Sequence, residues 1–158
     1  MYQICPDEKC MSCMACFSIC PVHAIRIVQN SKGFYRPQVD QEICIQCCLC
    51  QKVCPGLLPP TEIKEPMEVF ACWSKDESIR ERSSSGGLFT HIARTVLNQG
   101  GVVFGGSFAD HFEVVHQGVD KEEQLGRLQG SKYVQSRIGN SLREVREFLN
   151  QGRNVLFA

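Results

Sequence analysis

Apolar positions are spread unevenly along the 158-residue chain, and their spacing changes partway through it. In the first part they are sparse. Two runs stand out, Ala24-Ile25-Arg26-Ile27-Val28 and Phe34-Tyr35-Arg36-Pro37-Gln38-Val39, on either side of Asn30-Ser31-Lys32-Gly33. This predicts two short strands around a turn whose glycine takes a positive φ, with Pro37 confining the second strand to an edge. From residue 69 the pattern predicts alternating strands and helices. Val69-Phe70-Ala71-Cys72-Trp73 reads as a strand. Phe89, Ile92, Ala93, Val96 and Leu97 then recur at the spacing of one helical face, which Gly100-Gly101 ends. Val102-Val103-Phe104 and Phe112-Glu113-Val114-Val115 read as paired strands. Ser141-Leu142-Arg143-Glu144 has the form of a capping box, and Leu142, Val145, Phe148 and Leu149 give the following helix an apolar face up to Gly152. Asn154-Val155-Leu156-Phe157-Ala158 reads as the start of a buried strand, so the chain is expected to stop inside an incomplete sheet.

Between these two regimes, residues 55 to 66 hold four of the seven prolines, which break helices and are excluded from central strands. The expected organisation is a small module over 1–58, an extended Pro-rich linker over 59–68 and a second domain over 69–158. Charge adds little. With 17 basic and 17 acidic side chains the formal net charge is zero, which argues against a nucleic-acid-binding surface. The apolar fraction of 43% and charged fraction of 22% are those of a soluble globular chain. No apolar run approaches the roughly 18 residues of a membrane span, and the first residues lack an export signal. The expected compartment is the cytoplasm.

Cysteine changes the picture. Ten of eleven cysteines lie in residues 1–54, an odd total without an export signal, which favours metal binding over a disulfide framework. Shifting the sequence by 34 residues superimposes Cys10, Cys13, Cys16, Cys20 and Pro21 on Cys44, Cys47, Cys50, Cys54 and Pro55. Each half thus reads C-x2-C-x2-C-x3-C-P, the bacterial iron-sulfur run in which the fourth Cys ligates the other cluster of a two-cluster ferredoxin. Three thiolates at intervals of three wrap one corner region of a 4Fe-4S cubane and leave one iron to a distant ligand. The expected sets are Cys10, Cys13, Cys16 and Cys54 for one cluster and Cys44, Cys47, Cys50 and Cys20 for the other. The competing reading is two tetrahedral zinc sites, but zinc knuckles pair two ligands and give no reason for a third Cys and a fourth-Cys-Pro at the same spacing twice. Cys5 either packs near a cluster or is free. Cys48 lies between two ligands and is a possible substitute for Cys47. Cys72 reads as a small buried apolar residue, and His23 as a half-exposed hairpin residue rather than a tuner of a cluster.

Residues 10–55 thus resemble a bacterial-type two-cluster ferredoxin module. Residues 69–158 resemble the start of the coenzyme F420 hydrogenase/dehydrogenase beta subunit family, on Ser83-Ser84-Ser85-Gly86-Gly87-Leu88-Phe89, Gly130-Ser131-Lys132-Tyr133-Val134-Gln135-Ser136 and Gly152-Arg153-Asn154-Val155-Leu156-Phe157. The fold class expected is an α+β ferredoxin-like two-cluster module followed by an incomplete α/β domain. The resemblance implies an FAD-dependent oxidoreductase subunit passing electrons between clusters and a redox partner protein or a soluble carrier such as coenzyme F420. Independently of it, Ser83, Ser84, Ser85, Gly86 and Gly87 directly before a helix offer hydroxyls, free N–H groups and a positive helix end suited to a phosphate. A helix start with flexible residues is the competing reading of that stretch. Lys132 and Tyr133 are candidate contacts for an anion and a ring. The alternative function is a ferredoxin relay and docking module that holds no flavin.

Overall fold

The computed structural model describes residues 2–59 and 68–158. All but the end residues of the expected 59–68 linker therefore lie outside the described residues. The chain divides into two compact units, Met1–Glu65 and Pro66–Ala158, and each combines helices with a sheet.

In the first unit a 3-10 turn at Asp7–Lys9 precedes helix α1 (Ala15–Ile19), strands β1 (Ile25–Gln29) and β2 (Tyr35–Val39), and helix α2 (Leu49–Lys52). The strands pair antiparallel, with Ile25 opposite Val39 and Gln29 opposite Tyr35. Their turn is built as its residues require. Gly33 takes φ +81, and the Asn30 side-chain oxygen accepts from the backbone N–H groups of Lys32 and Phe34, each at 3.0 Å. The buried core is small: Ile4, Cys16, Ile25 and Val39, with Tyr2, Phe17, Cys20, Cys44 and Cys50 packed against it. Cysteine thus contributes as much to this core as aliphatic residues do.

The second unit contains α3 (Glu77–Glu81), α4 (Leu88–Asn98), β3 (Val102–Phe108), β4 (Val114–Val119), α5 (Ser141–Asn150) and β5 (Val155–Phe157). Its sheet order is β4-β3-β5, antiparallel on one side of β3 and parallel on the other. Central β3 is buried on both faces. Because successive side chains alternate, Val103 joins Ala93, Leu97, Val119, Leu125 and Leu128 under α4. Phe104 points to the other face, where its ring lies 6.2 Å from Phe148 of α5 and 6.1 Å from Phe157 of β5. Gly118 is opposite Phe104 in the ladder, and a Cβ there would come within 2.8 Å of the Phe104 ring.

Three local expectations are corrected. Residues 69–73 form no strand; Val69, Phe70, Cys72 and Trp73 are all exposed, and among the described residues no strand pairs with them. The capping box does not form, because Asn140 occupies the N-cap and the Ser141 hydroxyl instead donates to the His116 carbonyl at 3.0 Å, tying α5 to β4. The second strand of the hairpin starts at Val114 rather than Phe112, which lies at positive φ in a tight 3-10 turn, Asp110–Phe112. Among the described residues no helix is long and apolar enough to cross a membrane.

The Phe104–Gly118 contact sets the register of β3 against β4. Gly118→Val should destabilise the second unit by about 1–3 kcal/mol, the usual cost of overpacking. Urea unfolding of the chain followed by circular dichroism should show the midpoint fall, and an unchanged midpoint would mean that the ring relaxes freely.

Candidate functional site

The two cysteine loops have the same backbone, and it is an unusual one. Ser12 and Met14 lie at φ +55 and +56, and Gln46 and Cys48, 34 residues on, lie at +53 and +58. None of the four is a glycine, so each position carries conformational strain that the surrounding loop must hold. The left-handed residues Met14 and Cys48 are also the N-caps of α1 and α2, and neither helix start has a side-chain cap. Each loop therefore turns sharply at both spacers between its three cysteines and delivers the third onto a short helix.

The loops line two separate cavities. Cys10, Cys13, Cys16 and Cys54 line the first, together with Cys5, Met11, Met14, Ile27, Tyr35 and Pro37, around about 430 Å³ of atom-free space including its mouth. Cys20, Cys44, Cys47 and Cys50 line the second, with Cys48, Tyr2, Ile25, Val39, Ile45 and Leu49, around about 370 Å³. Each cavity thus receives the three repeat cysteines of its own loop, one further cysteine of that half (Cys5 or Cys48) and one cysteine from the other half. Gly56 contributes to that crossing. A Cβ at Gly56 would lie 2.5 Å from the Lys9 carbonyl, so only glycine lets the chain after Cys54 pass against the first loop. On the other side, the Ala24 N–H donates to the Cys20 sulfur at 3.3 Å.

These surroundings suit an iron-sulfur cluster better than single ions. Tetrahedral zinc with bonds of about 2.3 Å would draw its sulfurs together, whereas the thiols here ring a space with apolar walls. Burial pushes the Cys16 thiol up to about 12, against the Phe17 N–H, which acts the other way. Burial, then the Cys54 and Cys10 thiols, push Cys5 up to about 12, and burial likewise raises Cys50. Ligation by metal must therefore expel protons from these sites. Cys5 lines the first cavity and is buried. Cys48 is exposed, and its thiol donates to the Gln46 carbonyl at 3.4 Å. His23 is exposed and does not line the second cavity.

In the second unit, Ser83, Ser84, Ser85, Gly86 and Gly87 line an open cavity with Phe70, Cys72, Leu88, Thr90, Gln129, Gly130 and Ser131. Cys72 is exposed at this cavity, which corrects its reading as a buried apolar residue. The Ser84 and Ser131 hydroxyls lie 2.9 Å apart and join two glycine-containing loops across it. Helix α4 starts here, capped by Gly87 at φ +83 with no side-chain cap, so the hydroxyls do not occupy its first N–H groups. Ser83 instead donates to the Ile79 carbonyl at 2.7 Å. Lys132 and Tyr133 are not brought to this cavity. The Lys132 ammonium donates to the Gln129 carbonyl at 2.7 Å and lines a neighbouring cavity with Ser107, Gln117 and Arg127, and Tyr133 is exposed. Thr90, Leu128 and Gln129 carried no signal in the sequence. Thr90 sits on the apolar side of α4, and its hydroxyl accepts from the Gln129 amide at 3.0 Å.

The first unit has the donor set and the paired cavities of a two-cluster iron-sulfur electron-transfer protein. Residues 9–56 match the family model of the 4Fe-4S dicluster domain, and residues 69–143 match that of coenzyme F420 hydrogenase/dehydrogenase, beta subunit N-term. The two matches follow one another along the chain, first to the 4Fe-4S dicluster domain and then to the N-terminal domain of that beta subunit family, each over less than half of its length. No curated protein matches it.

Gly86 is close-packed irrespective of any ligand. A Cβ there would come within 2.3 Å of the Cys72 carbonyl, and the Gly86 carbonyl accepts from the Ser74 N–H at 2.6 Å. Gly86→Ala should therefore displace the 83–87 loop in protein to which nothing has been added. Hydrogen exchange at residues 72–88 should accelerate at least several-fold, and unchanged protection would contradict the packing argument.

Proposed function

We propose that the chain holds two 4Fe-4S clusters with exchanged fourth ligands, one on Cys10, Cys13, Cys16 and Cys54 and the other on Cys44, Cys47, Cys50 and Cys20. The observation that carries this reading is the lining of the two cavities, each by the three repeat cysteines of one loop and the fourth repeat cysteine of the other half, with Cys5 or Cys48 as a fifth. The clusters supply one-electron storage when bound. The residues around them exclude water, hold the sulfurs apart and, at Cys20, offer an N–H to the ligand sulfur. In this reading the first unit is a ferredoxin-like module over 1–58 and residues 69–158 belong to an α/β flavin domain.

The second part of the proposal is that the cavity at Ser83–Gly87 receives the phosphates of FAD, making the protein part of a cytoplasmic oxidoreductase that exchanges electrons with a redox protein or a soluble carrier such as coenzyme F420. Support comes from the free N–H groups at the start of α4, which is 11 residues long, and from the facing loop at Gly130 and Ser131. Lys132 and Tyr133 are not needed for this site as it is built. The rival reading, a relay module without flavin, predicts the same clusters and no flavin binding.

Anaerobically reconstituted protein should carry eight irons and eight sulfides, from two clusters of four each. Gly56→Val should push Cys54 away from the first loop and weaken only the signal of the cluster that Cys13→Ser also alters in electron paramagnetic resonance. Loss confined to the signal that Cys47→Ser alters would refute the exchange. Chelation of the iron should unfold residues 1–58 while helix persists elsewhere, as limited proteolysis and circular dichroism report.

Flavin binding has its own test. Ser85 is exposed at the cavity, so Ser85→Trp should fill the space and leave the fold alone. Isothermal titration of flavin-free protein with FAD should show binding that this variant weakens at least tenfold. No binding by the unaltered protein would favour the relay module.

A further inference from the structure

The two cysteine sets are related by the 34-residue repeat, yet they differ in access at three of the four equivalent ligand positions, Cys10 and Cys44 both being half-buried. Cys16 and Cys54 are buried, whereas Cys50 and Cys20 are half-buried. Cys13 is half-buried and its counterpart Cys47 exposed. Between the ligands, Ser12 and Met14 are buried, but Gln46 and Cys48 are exposed. The cause is local. The Ser12 hydroxyl donates to the Tyr35 carbonyl at 2.6 Å, and the Arg36 guanidinium donates to Ser12 Oγ at 2.7 Å and to the same carbonyl at 2.9 Å. These bonds fasten the first loop to β2, whose Tyr35 and Pro37 form one wall of the cavity, while Ile4 and Cys5 form another. Gln46 has replaced Ser12 in the second loop, and β2 contributes only Val39 to that cavity.

We propose that Cys20, Cys44, Cys47 and Cys50 form the port at which this unit exchanges electrons with redox agents in solution, and that Cys10, Cys13, Cys16 and Cys54 form a shielded internal centre; this rests on the two-cluster reading. Outer-sphere transfer moves one electron and makes or breaks no bond, and its rate falls steeply with the gap between donor and acceptor. Sulfur ligands share the electron density of the iron, so exposed Cys47 is the point of nearest approach. Exposure also hydrates the more negative, reduced state, which favours the electron residing at the second set.

The repeat supplies a matched pair of test positions. Met11 and Ile45 are 34 residues apart, each lines its own cavity, and they are 61% and 60% exposed. A charge placed at either should be tolerated by the fold. The probe is hexacyanoferrate(III), an anion that takes one electron to become hexacyanoferrate(II), used substoichiometrically on reduced protein whose iron content has been measured. At low ionic strength Ile45→Glu should slow the oxidation about fivefold and Ile45→Lys should accelerate it by a similar factor, both effects fading in high salt. Met11→Glu should slow it less, by no more than about twofold, since a charge farther from the port repels the anion more weakly. If Met11→Glu slows the reaction as much as Ile45→Glu or more, in protein carrying eight irons, the port is overturned and the two-cluster reading stands. Four or fewer irons in the unaltered protein would overturn that reading and the port with it.

Discussion

The crossing of Cys54 to the first cysteine loop and of Cys20 to the second is the constraint on which the first unit depends. Its packed aliphatic residues number only a few, Ile4, Ile25 and Val39, and a domain of this size buries too little apolar surface to be secure without a covalent or metal staple. The left-handed backbone at Ser12, Met14, Gln46 and Cys48 adds strain of about 1 kcal/mol or more at each position, which those few contacts are poorly placed to offset. Under the proposed ligation, metal-sulfur bonds are strong enough to do so and would bind the two halves of the repeat to each other at the same time. In this account the polypeptide provides shape and the inorganic cores provide cohesion.

The second unit is held by ordinary means. Its central strand β3 is buried on both faces, α4 covers one of them, and aromatic rings from α5 and β5 cover the other. This arrangement places the start of α4 and the loop at Gly130 beside one another, so the cavity between them follows from the packing of α4 on the sheet. Gly86 and Gly87 serve that packing first. One lies against the Cys72 backbone and the other turns the chain into α4, and a phosphate would exploit N–H groups that this turn leaves free.

Much of this was legible in the amino-acid order, for reasons that differ by region. Cysteines at matched spacing are informative because cluster ligation tolerates few other spacings, and each expected set of four lines one cavity, beside Cys5 in the first and Cys48 in the second. The helix at Phe89–Leu97 and the strands around it were legible because their apolar residues face a single core. What escaped was set by tertiary contacts. Val69–Trp73 has the composition of a strand, but among the described residues no strand pairs with it. Ser141 has the spacing of a cap, but the His116 carbonyl competes for its hydroxyl. Lys132 looked available to an anion until the folded chain put the Gln129 carbonyl next to it. The left-handed spacers carried no signal at all, since Ser, Met, Gln and Cys do not announce positive φ as glycine does.

The exchanged ligation is tested most directly by anomalous scattering at the iron edge from crystals of the anaerobically reconstituted chain. The account predicts two four-iron groups, one bounded by the sulfurs of Cys10, Cys13, Cys16 and Cys54 and the other by those of Cys20, Cys44, Cys47 and Cys50. Isolated single-metal peaks, or a group that binds Cys20 together with Cys10, Cys13 and Cys16, would contradict it.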